Sequence, residues 1–184
     1  MINMSNVSFS YGEKKVLDNF NLSLKKGERA CLFGESGSGK TTILRLICEL
    51  EKAQSGQIII GGKLSVVFQE DRLLPFKTVI ENISAVNGDE KKCEELLKAF
   101  SLYEYKDKYP RSLSGGMKRR IAIIRALSRD FDILILDEAF NGIDRENIEK
   151  IAQIINENTK DKTLVMVSHS EWEAEILRAK IVKI

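Results

Sequence analysis

The chain has 184 residues, enough for one domain with a buried core, and 43% are hydrophobic, which argues against a disordered chain. Twenty-nine Lys and Arg oppose twenty-seven Asp and Glu, and the net charge of +2 lends no support to a dedicated nucleic-acid surface. Cys31, Cys48 and Cys93 lack zinc-site spacing, and their odd number argues against a closed disulfide framework, so free thiols in a reducing compartment are expected.

The first residues, Met1 to Met4, lack a basic segment and a long apolar stretch, so no signal peptide is expected. No apolar run approaches the ~20 residues that cross a bilayer. The expectation is a soluble chain that reaches a membrane only through a partner.

Ile2 to Phe9 and Leu17 to Leu24 alternate apolar and polar residues, the pattern of strands with one buried face. Arg29 to Phe33 is a short apolar strand running into a glycine-rich loop. Thr41 to Leu50 then carries Ile43, Leu44, Ile47 and Leu50 at helical spacing. Gln57 to Ile60, between Gly56 and Gly61, reads as a hairpin arm, and Leu64 to Phe68 as another strand. Thr78 to Ala85 and Asp89 to Phe100 read as helices, the second with Asp89 as N-cap.

Ser114 to Ser128 reads as a helix and Ile133 to Leu136 as a buried strand. Arg145 to Glu157 is helical, with Ile148, Ile151, Ile154 and Ile155 on one face. Leu164 to Val167, Glu171 to Leu177 and Ile181 to Ile184 complete the alternation as strand, helix and strand. Such alternation implies an α/β fold whose mostly parallel sheet is covered on both faces.

The loop Gly34-Glu35-Ser36-Gly37-Ser38-Gly39-Lys40-Thr41 fits a Gly-x-x-x-x-Gly-Lys-Thr pattern between a strand and a helix. Glycines permit a backbone arch whose N–H groups point inward, and the helix adds its positive end. Lys40 is expected to reach the β- and γ-phosphates of a nucleotide, and the Thr41 hydroxyl to ligate Mg²⁺.

The strand Asp132 to Leu136 ends in Asp137-Glu138, at the end of a parallel sheet where the phosphate loop also lies. Asp137 suits Mg²⁺ held through water, and Glu138 suits deprotonation of an attacking water. A lone histidine at a strand end is more often structural than catalytic. His169, however, follows a strand that would neighbour the same crevice, where its imidazole can donate to a γ-phosphate or to the water.

Downstream of the loop stands Leu113-Ser114-Gly115-Gly116-Met117. With the phosphate loop and Leu136-Asp137-Glu138 in this order, the chain resembles the ATP-binding subunit of ABC transporters over nearly its whole length. The resemblance implies a phosphate-loop NTPase core with an antiparallel β subdomain (about 1–69 and 114–184) and a helical subdomain (about 70–113), as a single domain over 1–184. It implies ATP and Mg²⁺, with Gly34 to Thr41 and Thr42 around the phosphates and Lys40, Glu138 and His169 in catalysis.

By the same resemblance Tyr11 stacks on adenine, Val16 packs near the sugar, and Gln69 touches Mg²⁺ and relays contact with a membrane partner. Asn141-Gly142-Ile143-Asp144 resembles the loop that communicates across a dimer. Ser114 is read as the cap of a helix whose first turn exposes bare N–H groups at Gly115 and Gly116. In the family this end closes over the ATP of the opposite subunit, which implies an isologous dimer. A transmembrane permease is implied as partner, an extracytoplasmic solute-binding protein indirectly, no nucleic acid, and a place on the inner face of the cell membrane.

The stretch Phe68 to Phe76, with Met117, is similar to importer ATPases for nitrate, sulfonates and taurine. Departures are Ala139 where the family usually has proline, Asn-Gly-Ile-Asp where Ser-Ala-Leu-Asp is common, and a short stretch between Gly61 and Val66. The chain also stops soon after the last helix, so no regulatory tail is expected. The rival readings are a soluble ABC ATPase of DNA repair or translation, a nucleotide-binding module without hydrolysis, and a phosphate-loop kinase. The first usually carries coiled-coil insertions or two ATPase domains, the second is disfavoured by intact Lys40, Asp137, Glu138 and His169, and the third by Leu113 to Met117.

Overall fold

A computed structural model of the chain describes residues 1–86 and 89–184. The expected span of the helical subdomain includes Asn87 and Gly88, which lie outside the described residues.

Strands β1 (Ile2–Tyr11), β2 (Lys14–Leu24) and β4 (Ser55–Ile60) form an antiparallel sheet in the order β2-β1-β4. Strands β3 (Arg29–Phe33), β5 (Leu64–Val67), β6 (Ile133–Asp137), β7 (Thr163–Val167) and β8 (Lys180–Lys183) form a second sheet, all parallel, in the order β5-β6-β7-β3-β8. The helices are α1 (Lys40–Ile47), α2 (Val79–Ser84), α3 (Glu90–Ala99), α4 (Gly115–Ser128), α5 (Arg145–Asn158) and α6 (Glu171–Ile176). This is a phosphate-loop NTPase fold with a helical subdomain.

The parallel sheet is buried on both faces, and β6 divides its side chains accordingly. Ile133 and Ile135 join the apolar cluster of the antiparallel sheet and α1, while Leu134 and Leu136 join that of α4 and α5. The second cluster continues without a break into Val79 and Ile83 of α2 and Cys93, Leu96 and Leu97 of α3. Helix α4 therefore packs on both the sheet and the helical region.

Local capping explains several boundaries. Thr78 and Glu81 form a reciprocal capping box at α2, and Asp89 accepts from Lys91 N at the start of α3. Ser114 and Asp144 cap α4 and α5 in the same manner.

Two expectations are corrected. Leu50 is neither helical nor buried: α1 ends at Ile47, Glu49 takes φ 57°, and Leu50 is exposed. Gln57 to Ile60 is not the arm of a local hairpin, because its partner is β1, with Ile2 opposite Ile60. Alternating apolar residues identify a strand but carry no information on its partner. Cys31 and Cys93 are buried and all three cysteines are free; burial pushes the Cys31 and Cys48 thiols up to about 11.

Candidate functional site

The crevice lies beyond the carboxyl ends of the parallel strands. Strand β7 sits between β3, which feeds the glycine loop, and β6, which carries the two acids. Leu32 and Asp137 both pair with Val167, so the three strand ends are level and His169 emerges between the loop and Glu138.

A cleft there is lined by Ser36, Gly37, Gly39, Lys40, Thr41 and Thr42 of the loop and α1. Tyr11, Lys14 and Val16 of the antiparallel sheet form a second wall, and Glu138 and His169 a third. Tyr11 is half exposed and is held edge-on to Phe9, with ring centroids 4.8 Å apart.

Gly39 explains how the antiparallel sheet meets the loop. Its φ is 100°, and a Cβ there would lie 3.1 Å from Val16 and 3.2 Å from Leu17. Only glycine provides both the left-handed turn and the close approach. Gly39 also precedes α1 without a side-chain cap, so the first turn of α1 keeps its N–H groups free of side-chain acceptors.

The buried Lys40 donates to the carbonyls of Gly34 at 2.9 Å and Glu35 at 2.6 Å, across the loop. Ser38 Oγ is buried with no hydrogen-bond partner among the described residues. An orphaned hydroxyl, free helical N–H groups and an ammonium held only by carbonyls fit a polyphosphate. Gly34, Glu35 and Ser38 lie outside the cleft lining; Gly34 leaves no room for a Cβ against the Ile184 carbonyl, 2.6 Å away.

Glu138 is the centre of the polar network. Its carboxylate accepts from Gln69 Nε2 at 3.2 Å and Asn141 Nδ2 at 2.8 Å, and faces His169 Nε2 at 3.2 Å. Its backbone is left-handed at φ 46°, an unfavourable state for a residue with a Cβ, and its N–H is fixed by the Val167 carbonyl at 3.0 Å. Ser168 donates to Glu173 and accepts from Ser170 N, which fixes the turn that carries His169.

Asp137, one residue earlier, is buried. Burial, then the charge of Glu138, raises its carboxyl pKa, while Arg119 and Lys40 act in the opposite direction. Among the described residues no three His, Cys, Asp or Glu side chains cluster as a metal cage. Thr41 lines the cleft, whereas Asp137 and Gln69 lie outside its lining. A hydroxyl, a carboxylate and an amide are donors of the kind that suits Mg²⁺, which keeps waters and takes oxygens from a bound phosphate.

Ser114, Gly115 and Gly116 do not line this cleft. Ser114 Oγ accepts from Met117 N at 3.2 Å, and both Ser114 and Gly115 are exposed. The two glycines differ: a Cβ on Gly115 would meet nothing within 4 Å, whereas one on Gly116 would lie 2.9 Å from the Gly142 carbonyl.

Four polar residues escaped the reading of site residues from sequence: Lys14, Asn141 as a ligand of Glu138, Glu173 behind His169, and Arg119. Arg119 sits in the basic run Lys118-Arg119-Arg120, which reads as a solvated face. Its helical spacing to Ala122, Ile123 and Ala126, all buried, was the signal that it points inward.

The profile of the ABC transporter family matches residues 17–141. The arginine transport ATP-binding protein ArtM of Bacillus subtilis (strain 168) is 36% identical, covering 92% of this chain and 81% of the relative. The aliphatic sulfonates import ATP-binding protein SsuB 1 of Shouchella clausii (strain KSM-K16) is also 36% identical, covering 98% of this chain and 75% of the relative. Among solved structures, the dimeric structure of MJ0796, a bacterial ABC transporter cassette, superposes with a TM-score of 0.91 at 30% identity, covering 100% of this chain and 94% of that one.

Proposed function

The chain belongs to the ABC transporter family as an ATP-binding subunit, and from that premise we propose that it hydrolyses ATP to drive import of a small solute through a membrane permease. The observation that carries the reading is the Glu138 carboxylate, held by Gln69 and Asn141 and facing His169, beside a loop built for polyphosphate.

In this reading adenine rests on Tyr11, the sugar lies near Val16, and the loop from Gly34 to Thr42 surrounds the phosphates. Lys40 exchanges its carbonyl partners for phosphate oxygens. Glu138 takes the proton from a water as that oxygen bonds to the γ-phosphorus and the β–γ bridging bond breaks, leaving ADP and phosphate. His169 donates to the γ-phosphate or to the water. Mg²⁺, held by Thr41, by Asp137 through water and beside Gln69, would neutralise phosphate charge.

The exposed end of α4 gives the reading its second subunit. Ser114, Gly115 and Gly116 are assigned to the ATP of the opposite copy in a homodimer, a reading supported by the dimeric state of the similar cassette. Helices within residues 70–113, packed on α4, pass the motion onward. The segment from Gln69 to Asn82 is assigned to the permease, with Phe76 91% exposed at its tip and Arg72, Arg125 and Arg129 around an adjoining groove. The subunit then works on the cytoplasmic face of the cell membrane, with an extracytoplasmic solute-binding protein as an indirect partner. The stretch Phe68 to Phe76 supports the nitrate, sulfonate and taurine branch of importers.

The test is Glu138→Gln. ATP binding is expected to persist while phosphate release falls about 100- to 10,000-fold, the span of a general base. Hydrolysis near the unsubstituted rate would remove Glu138 from the reaction.

A further inference from the structure

The parallel pairing of β5 with β6 ends at Val67 opposite Leu136. Immediately beyond it lie Phe68-Gln69 on one strand and Asp137-Glu138-Ala139 on the other. Carbonyls there can no longer be satisfied by the ladder between these two strands and need other donors. The guanidinium of Arg119, 3% exposed, fills the gap.

All of its nitrogens are engaged. Nε donates to the Ala139 carbonyl at 2.9 Å, and Nη2 to those of Asp137 at 2.8 Å and Glu138 at 2.7 Å. Nη1 donates to the carbonyls of Phe68 and, at 3.1 Å, Gln69. The only carboxylate contact among these is the longest, Asp71 Oδ1 at 3.4 Å. Arg119 is therefore less one half of an ion pair than a planar donor fork that joins two main-chain segments.

Those segments carry two side chains in direct contact, Gln69 and the cleft-lining Glu138, 3.2 Å apart. Glu138 has an unfavourable left-handed backbone, and Arg119 holds its carbonyl and those of both neighbours. Helix α4 grips the following residues too, since Arg125 donates to the carbonyls of Asp71 at 2.8 Å and Arg72 at 2.9 Å.

We propose that Arg119 is a positioning residue for hydrolysis: it sets the spacing between the Gln69 segment and the Glu138 segment, and so aims the Glu138 carboxylate. The proposal rests on the reading of Glu138 as the general base. Arg119 touches neither nucleotide nor metal in this reading, so its loss acts on turnover more than on ground-state binding.

The experiment compares Arg119→Met, which keeps the stem and removes every donor, with Arg119→Lys, Glu138→Gln and the unsubstituted chain, each co-purified with its membrane partner. ATP affinity is measured by calorimetry, turnover by phosphate release, and folding by thermal melting. Arg119→Met is expected to lower kcat about 100-fold, the scale of an ångström misplacement, with the ATP Kd within about threefold. Arg119→Lys is expected to lie between, because one ammonium cannot reproduce the fork. If Arg119→Met does not fold, the same split is read on Arg119→Lys.

A kcat within about twofold of the unsubstituted chain overturns the proposal, as do parallel losses of binding, turnover and melting temperature, or failure of both variants to fold. If the unsubstituted chain hydrolyses ATP and Glu138→Gln does not, an active Arg119→Met overturns the Arg119 proposal alone. Full activity in Glu138→Gln overturns the reading of Glu138 whatever Arg119 does.

Discussion

Two helices of this molecule begin at glycine-rich sequences, and they solve opposite problems. At α1, Gly39 leaves the first turn without a side-chain cap, and the surrounding loop contributes Lys40 and the orphaned Ser38 hydroxyl. At α4, Ser114 caps its own helix, and among the described residues no comparable cradle surrounds the exposed Gly115. The same helix-end physics produces a site equipped within one chain in the first case and a bare surface in the second. A glycine-rich helix start thus identifies a capacity for anions, and its surroundings decide whether the site is self-sufficient.

Lys40→Ala gives the largest expected break in this comparison. It should weaken ATP binding about 10- to 100-fold by calorimetry, the value of a hydrogen bond to a charged group, because in the proposed reading the α1 site does its own binding. Damage at the α4 end should spare binding and reduce turnover. Equal loss of affinity from both ends would erase the distinction.

The glycine pair sharpens it further. Gly116→Ala drives a Cβ against the Gly142 carbonyl and should cost about 1–3 kcal/mol in denaturant melts. Gly115→Ala has open space, so it should not lower stability, yet it should lower turnover if the partner's nucleotide lies against it. Ser114→Ala should cost about 1 kcal/mol through the lost cap, with turnover reduced more than ATP affinity.

The smallest effect concerns Asp137 at the α1 site. Its pKa is raised, first by burial and then by Glu138, so folding without nucleotide penalises the charged form relative to the unfolded chain. That contribution to stability is fully present below the ordinary aspartate pKa and is lost as pH rises through the raised value. Asp137→Asn should therefore melt higher than the unsubstituted chain at neutral pH without nucleotide, with the difference shrinking toward about pH 4. Unchanged melting at neutral pH would show that the buried charge costs nothing.

Much of the fold was legible because its signals are local. Period-two alternation marked β1 and β2, helical spacing marked α5, and Asp89 and Ser114 announced their own helices. Leu50 misled because apolar spacing continues past the point where Glu49 turns left-handed. The partner of β4 was illegible, since its pairing with β1 joins distant positions, from Ser8 with Ser55 to Ile2 with Ile60, and leaves no mark in either strand.

The candidate site divides along the same line. The sequence by itself determined the phosphate loop, the acidic strand end and the capped signature helix, because each depends on the chemistry of a few adjacent residues. Only the tertiary structure decided that β7 lies between β3 and β6, that His169 and Asn141 therefore reach Glu138, and that Arg119 turns inward to join two strand ends. These arrangements are made by packing between distant segments. A basic side chain within Lys118-Arg119-Arg120 becomes a buried fork only when carbonyls at and beyond the ends of two strands converge on it.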